Sequence, residues 1–467
     1  MGNASWLFIE AVLSRLLSFL LVIYLARRLG SLNFGKLSFA NAFVQIFIIF
    51  ADLGISFLTI REVARDKQST PEFIGSGFIL KILLATGTFG LIFAAINITD
   101  CPRDTKQVVY LIGLCYIFES LGVFFGSVFK ANEKMQYSAL IDIAEKIFMV
   151  SLCLIFLFLG YGLIAMAFIY LICGIIYNFL NIFFVIWKFA RPKIKIDCRF
   201  WKYLLKNGLP FALGGILIMA FYYTDTVMLA WLKGERVVGW YGVSFNLVHA
   251  LGMLPSAFLT AAFPVFSRFF KTSTDSLNQA YRGAFKFLLL LGMPISAGGM
   301  LLAERIIRLL FGENYLPSIA ILRIIISAVA FTYLNSLFGY FLASIDKQMD
   351  SLKMLGIAVV MNILLNLMLI PRYSYVGAAV ATVISQFFFL LFFLFYISKT
   401  PYHYFPLRLI AKTIFACLIM AVVILLFKSL NLLLLIIISI VVYFLIVLAI
   451  RYFDAQDRLI LRQMIKR

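Results

Sequence analysis

Seven charged side chains stand inside long apolar stretches of this sequence: the carboxylates Glu10, Asp52, Glu119 and Asp225, and the cations Arg15, Lys81 and Arg323. An ionisable group near the centre of a bilayer costs roughly 2.5–3.5 kcal/mol or more, so each must face protein or water rather than lipid. A carboxylate held there can take up and release a proton or Na⁺, and a cation can hold an anion. Asn41, Gln45, Asn246 and His249 add hydrogen-bonding groups within similar stretches. Catalytic sets are missing from the reading. No phosphate loop, zinc spacing or nucleotide fingerprint occurs, and two histidines, His249 and His403, make a Ser–His–Asp arrangement a poor expectation. The reading is of binding and passage, with no metal or cofactor.

The element that must position several of these groups is the stretch from Leu37 to Ile60, long enough to cross a bilayer as one helix. At about 100° per residue, Ser38, Asn41, Gln45, Asp52, Ser56 and Thr59 share one arc of about 60°. Such a stripe is either a polar seam between helices or the wall of a hydrophilic cavity.

Composition sets the class. Of 467 residues, 63% are hydrophobic and 13% charged, more apolar surface than a soluble core absorbs. The sequence predicts an all-α membrane protein of fourteen spans, near 6–26, 37–60, 73–96, 108–129, 138–159, 163–187, 207–232, 240–266, 284–303, 316–345, 354–370, 375–398, 409–427 and 431–450. The net charge of +20 comes from Lys and Arg in short loops, which reads as topology and not as a nucleic-acid surface. Of the 41 Lys and Arg, 26 fall in one alternate set of loops and 11 in the other. By the positive-inside bias both termini are expected in the cytoplasm, with the protein in the cytoplasmic membrane. The six cysteines show neither paired nor metal-type spacing and read as small interior residues.

An internal repeat divides the spans. Phe34-Gly35-Lys36-Leu37-Ser38 resembles Val238-Gly239-Trp240-Tyr241-Gly242 at an offset of 204, which also aligns Gly30 with Gly234 and Gln45 with His249. Glu133-Lys134 matches Asp346-Lys347, and residues 161–167 match 373–379, at offsets of 213 and 212. The expected organisation is a first lobe at 1–190 (spans 1–6), a basic cytoplasmic linker at 191–206, and a second lobe at 207–398 (spans 7–12). A pair of spans at 399–451 and a basic tail at 452–467 follow. Lobes of six spans each share one orientation, related by an axis along the membrane normal. Span 8 repeats the polar stripe, with Gly242, Asn246, His249, Met253, Ser256 and Thr260 on one arc, and two stripes favour a cavity over two unrelated seams.

Structural explanations stand beside these readings. Glu10 and Arg15 have the spacing of a poor intrahelical ion pair, and Asp142 and Lys146, four apart, have the spacing to satisfy each other. Lys81 and Arg323 have stems long enough to snorkel. An interior histidine such as His249 is more often hydrogen-bonded than a proton carrier.

Ala26-Arg27-Arg28-Leu29-Gly30 followed by Phe34-Gly35, and Asp225 followed by Gly239-Trp240-Tyr241, resemble motifs of the bacterial polysaccharide (O-antigen-type) flippases. These form the polysaccharide transporter branch of the multidrug/oligosaccharidyl-lipid/polysaccharide exporter superfamily. Phe263-Pro264, Pro294, Ala303-Glu304, Phe311-Gly312 with Tyr315, and Pro371 followed by Gly377-Ala378-Ala379 continue the likeness across spans 1–12. The chain departs from the family in having no basic residue before span 1. The resemblance implies translocation of an undecaprenyl-diphosphate-linked oligosaccharide between leaflets, in the company of membrane lipids and of polymerase and chain-length machinery. Under it, Arg15, Lys81 and Arg323 with Asn41, Gln45, Asn246 and His249 would meet the substrate. Asp52, Glu10, Glu119 and Asp225 would couple transport to H⁺ or Na⁺.

Two rivals follow. A cation antiporter of the same superfamily would want an acidic cavity, whereas three cations are mixed with the acids here. A membrane-embedded glycan polymerase or ligase, an enzyme rather than a carrier, is disfavoured by outer loops that are short and carry no Arg, His or carboxylate clusters.

Overall fold

The long apolar runs fold as helices, because in hydrocarbon a helix satisfies every backbone N–H and C=O within its own segment. The computed structural model describes residues 3–402, 404, 406–450 and 452, with side chains from Trp6 onward; His403 and the tail at 453–467 lie outside the described residues. The order is α1 (Asn3–Ile48), α2 (Ile55–Arg65), α3 (Thr70–Ile98), α4 (Arg103–Ala131), α5 (Met135–Phe158), α6 (Leu163–Lys188), α7 (Cys198–Lys233) and α8 (Glu235–Leu251). There follow α9 (Met253–Thr272), α10 (Thr274–Phe311), α11 (Ser318–Ser327), α12 (Val329–Ser344), α13 (Gln348–Ser398), α14 (Leu407–Leu426) and α15 (Leu432–Ala449). Ten helical stretches among the described residues are long and apolar enough to cross a membrane, or eleven if α11 and α12, bent by 42°, make one span. The protein is an all-helical membrane protein.

Two of the long helices are interrupted once each. Gly30 breaks α1 at φ 72°, ψ 171°, and Ser374 breaks α13 at φ 52°, ψ −133°. Gly30 has a counterpart 204 residues on: Gly234 takes φ 88°, ψ 168° between α7 and α8. Only glycine adopts that backbone without strain, which accounts for the paired glycines of the repeat. Glu133 and Asp346, also paired by the repeat, both have positive φ, at 56° and 60°.

The expected single helix over 37–60 is corrected. After Ile48 comes one turn of 3₁₀ helix at Ile49–Ala51, then a sharp turn in which Leu53 (φ 45°) and Gly54 (φ 77°) are left-handed. Only Ser38, Asn41 and Gln45 share the helix before the break; Ser56 and Thr59 belong to α2, and Asp52 sits at the break itself. A projection assuming one uninterrupted helix therefore does not hold beyond residue 48. The expected span at 240–266 lies within one helical stretch, Glu235–Thr272, in which α8 and α9 join at Gly252 (φ −62°, ψ −11°).

The chain divides into two compact units, Met1–Val243 and Ser244–Arg467. Residues 207–243 thus pack within the first. Its core gathers Ile55, Leu58, Ile74, Phe124, Phe129, Val185 and Leu204 from α2, α3, α4, α6 and α7. In the second, Tyr281 packs on Phe341 at 4.6 Å between ring centres, and Tyr443 of α15 donates to the carbonyl of Leu290 in α10 at 3.0 Å. Leu418, Val422 and Leu426 of α14 and Ile437 and Leu445 of α15 are exposed, as side chains facing lipid would be.

Candidate functional site

In the first unit the break after α1 turns the backbone so that Asp52 reaches two helices. Its Oδ1 accepts from the backbone N–H of Ser56 at 3.3 Å and from the Ser56 hydroxyl, closing the start of α2. It also meets the ammonium of Lys81, from α3, at 2.6 Å. Lys81 has no solvent exposure and donates in addition to Ser120 Oγ of α4 at 2.8 Å. The ring of Phe124 lies 5.9 Å from the same nitrogen. Three helices are thereby joined by one buried ammonium. An ion in that position persists only when paired and hydrogen-bonded, as this one is.

One helix face along, Asn41 and Gln45 meet α4. Tyr116 donates its hydroxyl to Asn41 Oδ1 at 2.8 Å and is hydrogen-bonded with Gln45, while Asn41 Nδ2 donates to the carbonyl of Leu37. Tyr116, Glu119 and Ser120, three and four residues apart, share a face of α4. Glu119 is half-buried and accepts from Cys115 Sγ at 3.6 Å. The half-buried Glu10, on the first half of α1, shares its surroundings with Asp142 of α5 and Lys130 of α4. The expected Asp142–Lys146 pair does not form. Lys146 instead meets its neighbour Glu145 at 3.5 Å, and Asp142 takes the hydroxyls of Ser138, at 3.3 Å, and Tyr177. Intrahelical spacing was correct for a pair, but α6 supplied a better donor.

Of the three expected anion-binding cations, Lys81 and Arg323 each meet a carboxylate within their own unit. Lys81 is committed to Asp52. Arg323, in the second unit, is exposed on α11 and lies 3.7 Å from Glu304, which also accepts from Arg308 at 3.2 Å. Arg15 is exposed on α1. Asp225 is buried and accepts from the Tyr241 hydroxyl at 2.9 Å. In the second unit Asn246 is half-buried, and His249 is exposed and stacked on Phe245, ring centres 6.0 Å apart.

Tyr116, Ser120 and Tyr177 escaped the sequence reading, although a lone lysine in an apolar span signals that some partner must exist. So did Asn362 and Asn366, buried one turn apart on α13, with Asn366 Nδ2 donating to Asn362 Oδ1 at 3.0 Å. A further cluster lies where α1 resumes after Gly30. Lys36 pairs with Asp104 and approaches Glu235 at 4.0 Å, and Thr105 donates to Glu235. Here α1 and α8 touch backbone to backbone: a Cβ at Gly35 would lie 1.8 Å from the carbonyl oxygen of Glu235, and one at Gly239 1.9 Å from that of Ser31. Among the described residues no three His, Cys, Asp or Glu side chains gather as a metal site would need. Chemically the arrangement offers hydrogen bonds and paired charges.

Two family models match the chain, one described as polysaccharide biosynthesis protein over residues 1–270 and MatE over residues 210–368. A capsular polysaccharide biosynthesis protein, CapF of Staphylococcus aureus, is 22% identical over 87% of this chain and 99% of its own. A probable low-salt glycan biosynthesis flippase, Agl15 of Haloferax volcanii, is 24% identical over 91% of this chain and 89% of its own. In fold, the chain matches a lipid II flippase, MurJ, in an inward closed conformation, at a TM-score of 0.80 and 19% identity, over 95% of this chain and 98% of that one.

Proposed function

Because the chain belongs to the polysaccharide biosynthesis protein family, we propose that it carries a lipid-diphosphate-linked oligosaccharide across the cytoplasmic membrane for surface polysaccharide assembly. Relatives named as a glycan flippase and a capsular polysaccharide protein, matched over most of both chains, support this reading. One structural observation carries it: within the first unit, polar groups of α1, α3 and α4 meet one another at Lys81–Asp52, Lys81–Ser120 and Tyr116–Asn41, while apolar side chains such as Leu83, Phe93 and Val123 are exposed. A sugar headgroup needs such hydrogen-bonding surface, and the polyprenyl tail does not leave lipid.

In this reading α1 and α13 each count as two spans, divided at Gly30 and Ser374. With α8–α9 as one span and α11–α12 as one bent span, the chain has fourteen, and both termini are cytoplasmic. Two lobes rock about the bound headgroup, with H⁺ or Na⁺ as the coupling ion. Arg15, the exposed cation on α1, is the diphosphate contact. Glu119, Glu10 and Asp225 carry the ion, and Asp52, already neutralised by Lys81, holds the lobe together instead. The test is reconstitution of the purified chain in vesicles holding a fluorescent polyprenyl-diphosphate oligosaccharide. The expected result is headgroup movement to the far leaflet, read by a membrane-impermeant quencher; movement no faster than in protein-free vesicles would refute the proposal.

The MatE match over residues 210–368 favours a second reading, efflux of organic cations. Energised vesicles that expel ethidium, with no movement of the lipid-linked sugar, would establish it.

A further inference from the structure

From the last residue of α6 through the first turns of α7 the chain carries seven basic residues, Lys188, Arg191, Lys193, Lys195, Arg199, Lys202 and Lys206, all exposed, against one acid, Asp197. Asp197 is spent on the backbone: its Oδ1 accepts from the N–H groups of Arg199 at 2.9 Å and Phe200 at 3.0 Å, starting α7, and these bonds hold its carboxyl below the usual range. Positive-inside topology alone would explain so many cations in a loop of any conformation. This loop, however, is strapped down. Lys193 donates its backbone N–H to the carbonyl of Pro71 at 2.8 Å, and its backbone lies so close to Gly75 that a Cβ there would be 2.0 Å from the Lys193 oxygen. Trp201 then donates its indole N–H to Ser76, and Phe200 packs edge-on against Phe73, both on α3.

Fixing the strap by its backbone leaves its side chains outward. Ile194 is 76% and Ile196 71% exposed, alternating with Lys193 and Lys195, beside the exposed Trp187 whose ring lies 4.1 Å from the Lys188 ammonium. Lysines interleaved with open isoleucines and a tryptophan, where two spans end, match an interfacial layer: apolar groups in the acyl boundary and cations among phosphates. A soluble polyanion would leave the isoleucines unexplained.

The geometry points to residues 187–206 as a binding site for anionic phospholipid headgroups of the leaflet this strap lies against. That the leaflet is the cytoplasmic one rests on the sidedness given under the proposed function. The test is native mass spectrometry of the full purified chain titrated with phosphatidylglycerol and phosphatidylcholine. The wild type is expected to retain phosphatidylglycerol about fivefold or more over phosphatidylcholine. The combined variant Lys188→Gln, Arg191→Gln, Lys193→Gln, Lys195→Gln is expected to fall to near parity with its melting temperature unchanged. Ile194→Ser with Ile196→Ser, which keeps every charge, is expected to weaken retention of both lipids. Equal retention of the two lipids by the wild type would overturn the site. So would an unchanged preference in the charge variant, or displacement of the lipid by inorganic phosphate. Reaction of Cys198 with an impermeant maleimide only from the outside would overturn the sidedness and leave the lipid preference standing.

Discussion

Lys81, a side chain with no solvent exposure, holds Asp52 at 2.6 Å across the break between α1 and α2. The pair is unequal, because the Asp52 side chain keeps 24% of its exposure. Deleting one partner of a buried pair leaves an uncompensated charge and costs about 3–5 kcal/mol, whereas replacing both by apolar groups is often near neutral. Asp52→Ala, which strands the fully buried ammonium, is therefore expected to destabilise more than Lys81→Met. Asp52→Ala with Lys81→Met is expected to recover most of the loss. Thermal melts of the four proteins in detergent form the cycle, and additive losses would show that the pair is not coupled.

Arg15 is exposed on α1, where it interacts electrostatically with Glu10 and Tyr222, and Arg15→Ala is expected to change stability by about 1 kcal/mol or less. Transport of a diphosphate-bearing substrate is expected to fall tenfold or more. Surface polysaccharide in a complemented deletion strain, measured beside protein level, checks this; normal polysaccharide removes Arg15 from the substrate path.

Gly35 and Gly239 leave no room for a methyl group against Glu235 and Ser31. Gly35→Ala and Gly239→Ala are each expected to part α1 from α8 and loosen the Lys36–Asp104–Glu235 cluster. Maleimide labelling of the half-buried Cys101, three residues from Asp104, should then quicken several-fold. An unchanged labelling rate in both variants would mean that this end does not open by that separation.

Cys101 and Cys198 report sidedness without mutation. Four of the six cysteines are buried; Cys101 is half-buried and Cys198 exposed. They lie at opposite ends of α3, whose 29 residues span about 44 Å. An impermeant reagent is expected to reach Cys101 in intact cells and Cys198 only in inverted vesicles. Both labelled from one side would contradict the alternation of loops.

Much of the fold was legible because hydrocarbon demands helices and penalises charge. The apolar runs marked the elements, and the repeat aligned Gly30 with Gly234, which both take positive φ in the structure. Of the polar residues expected to face protein or water, Asn41, Gln45 and Lys81 each meet another helix.

The sequence by itself determined an all-helical membrane chain, its repeat, and the charges that must avoid lipid, since each depends on residue type and local spacing alone. The tertiary structure decided which charges answer which. It broke the helix at Asp52, gave Lys81 a partner from another element, turned Asp142 from Lys146 to Tyr177, and pressed the Lys193 backbone onto Gly75. Partner choice among buried ions depends on distances of a few ångströms between segments far apart in the chain, and periodicity carries no record of those.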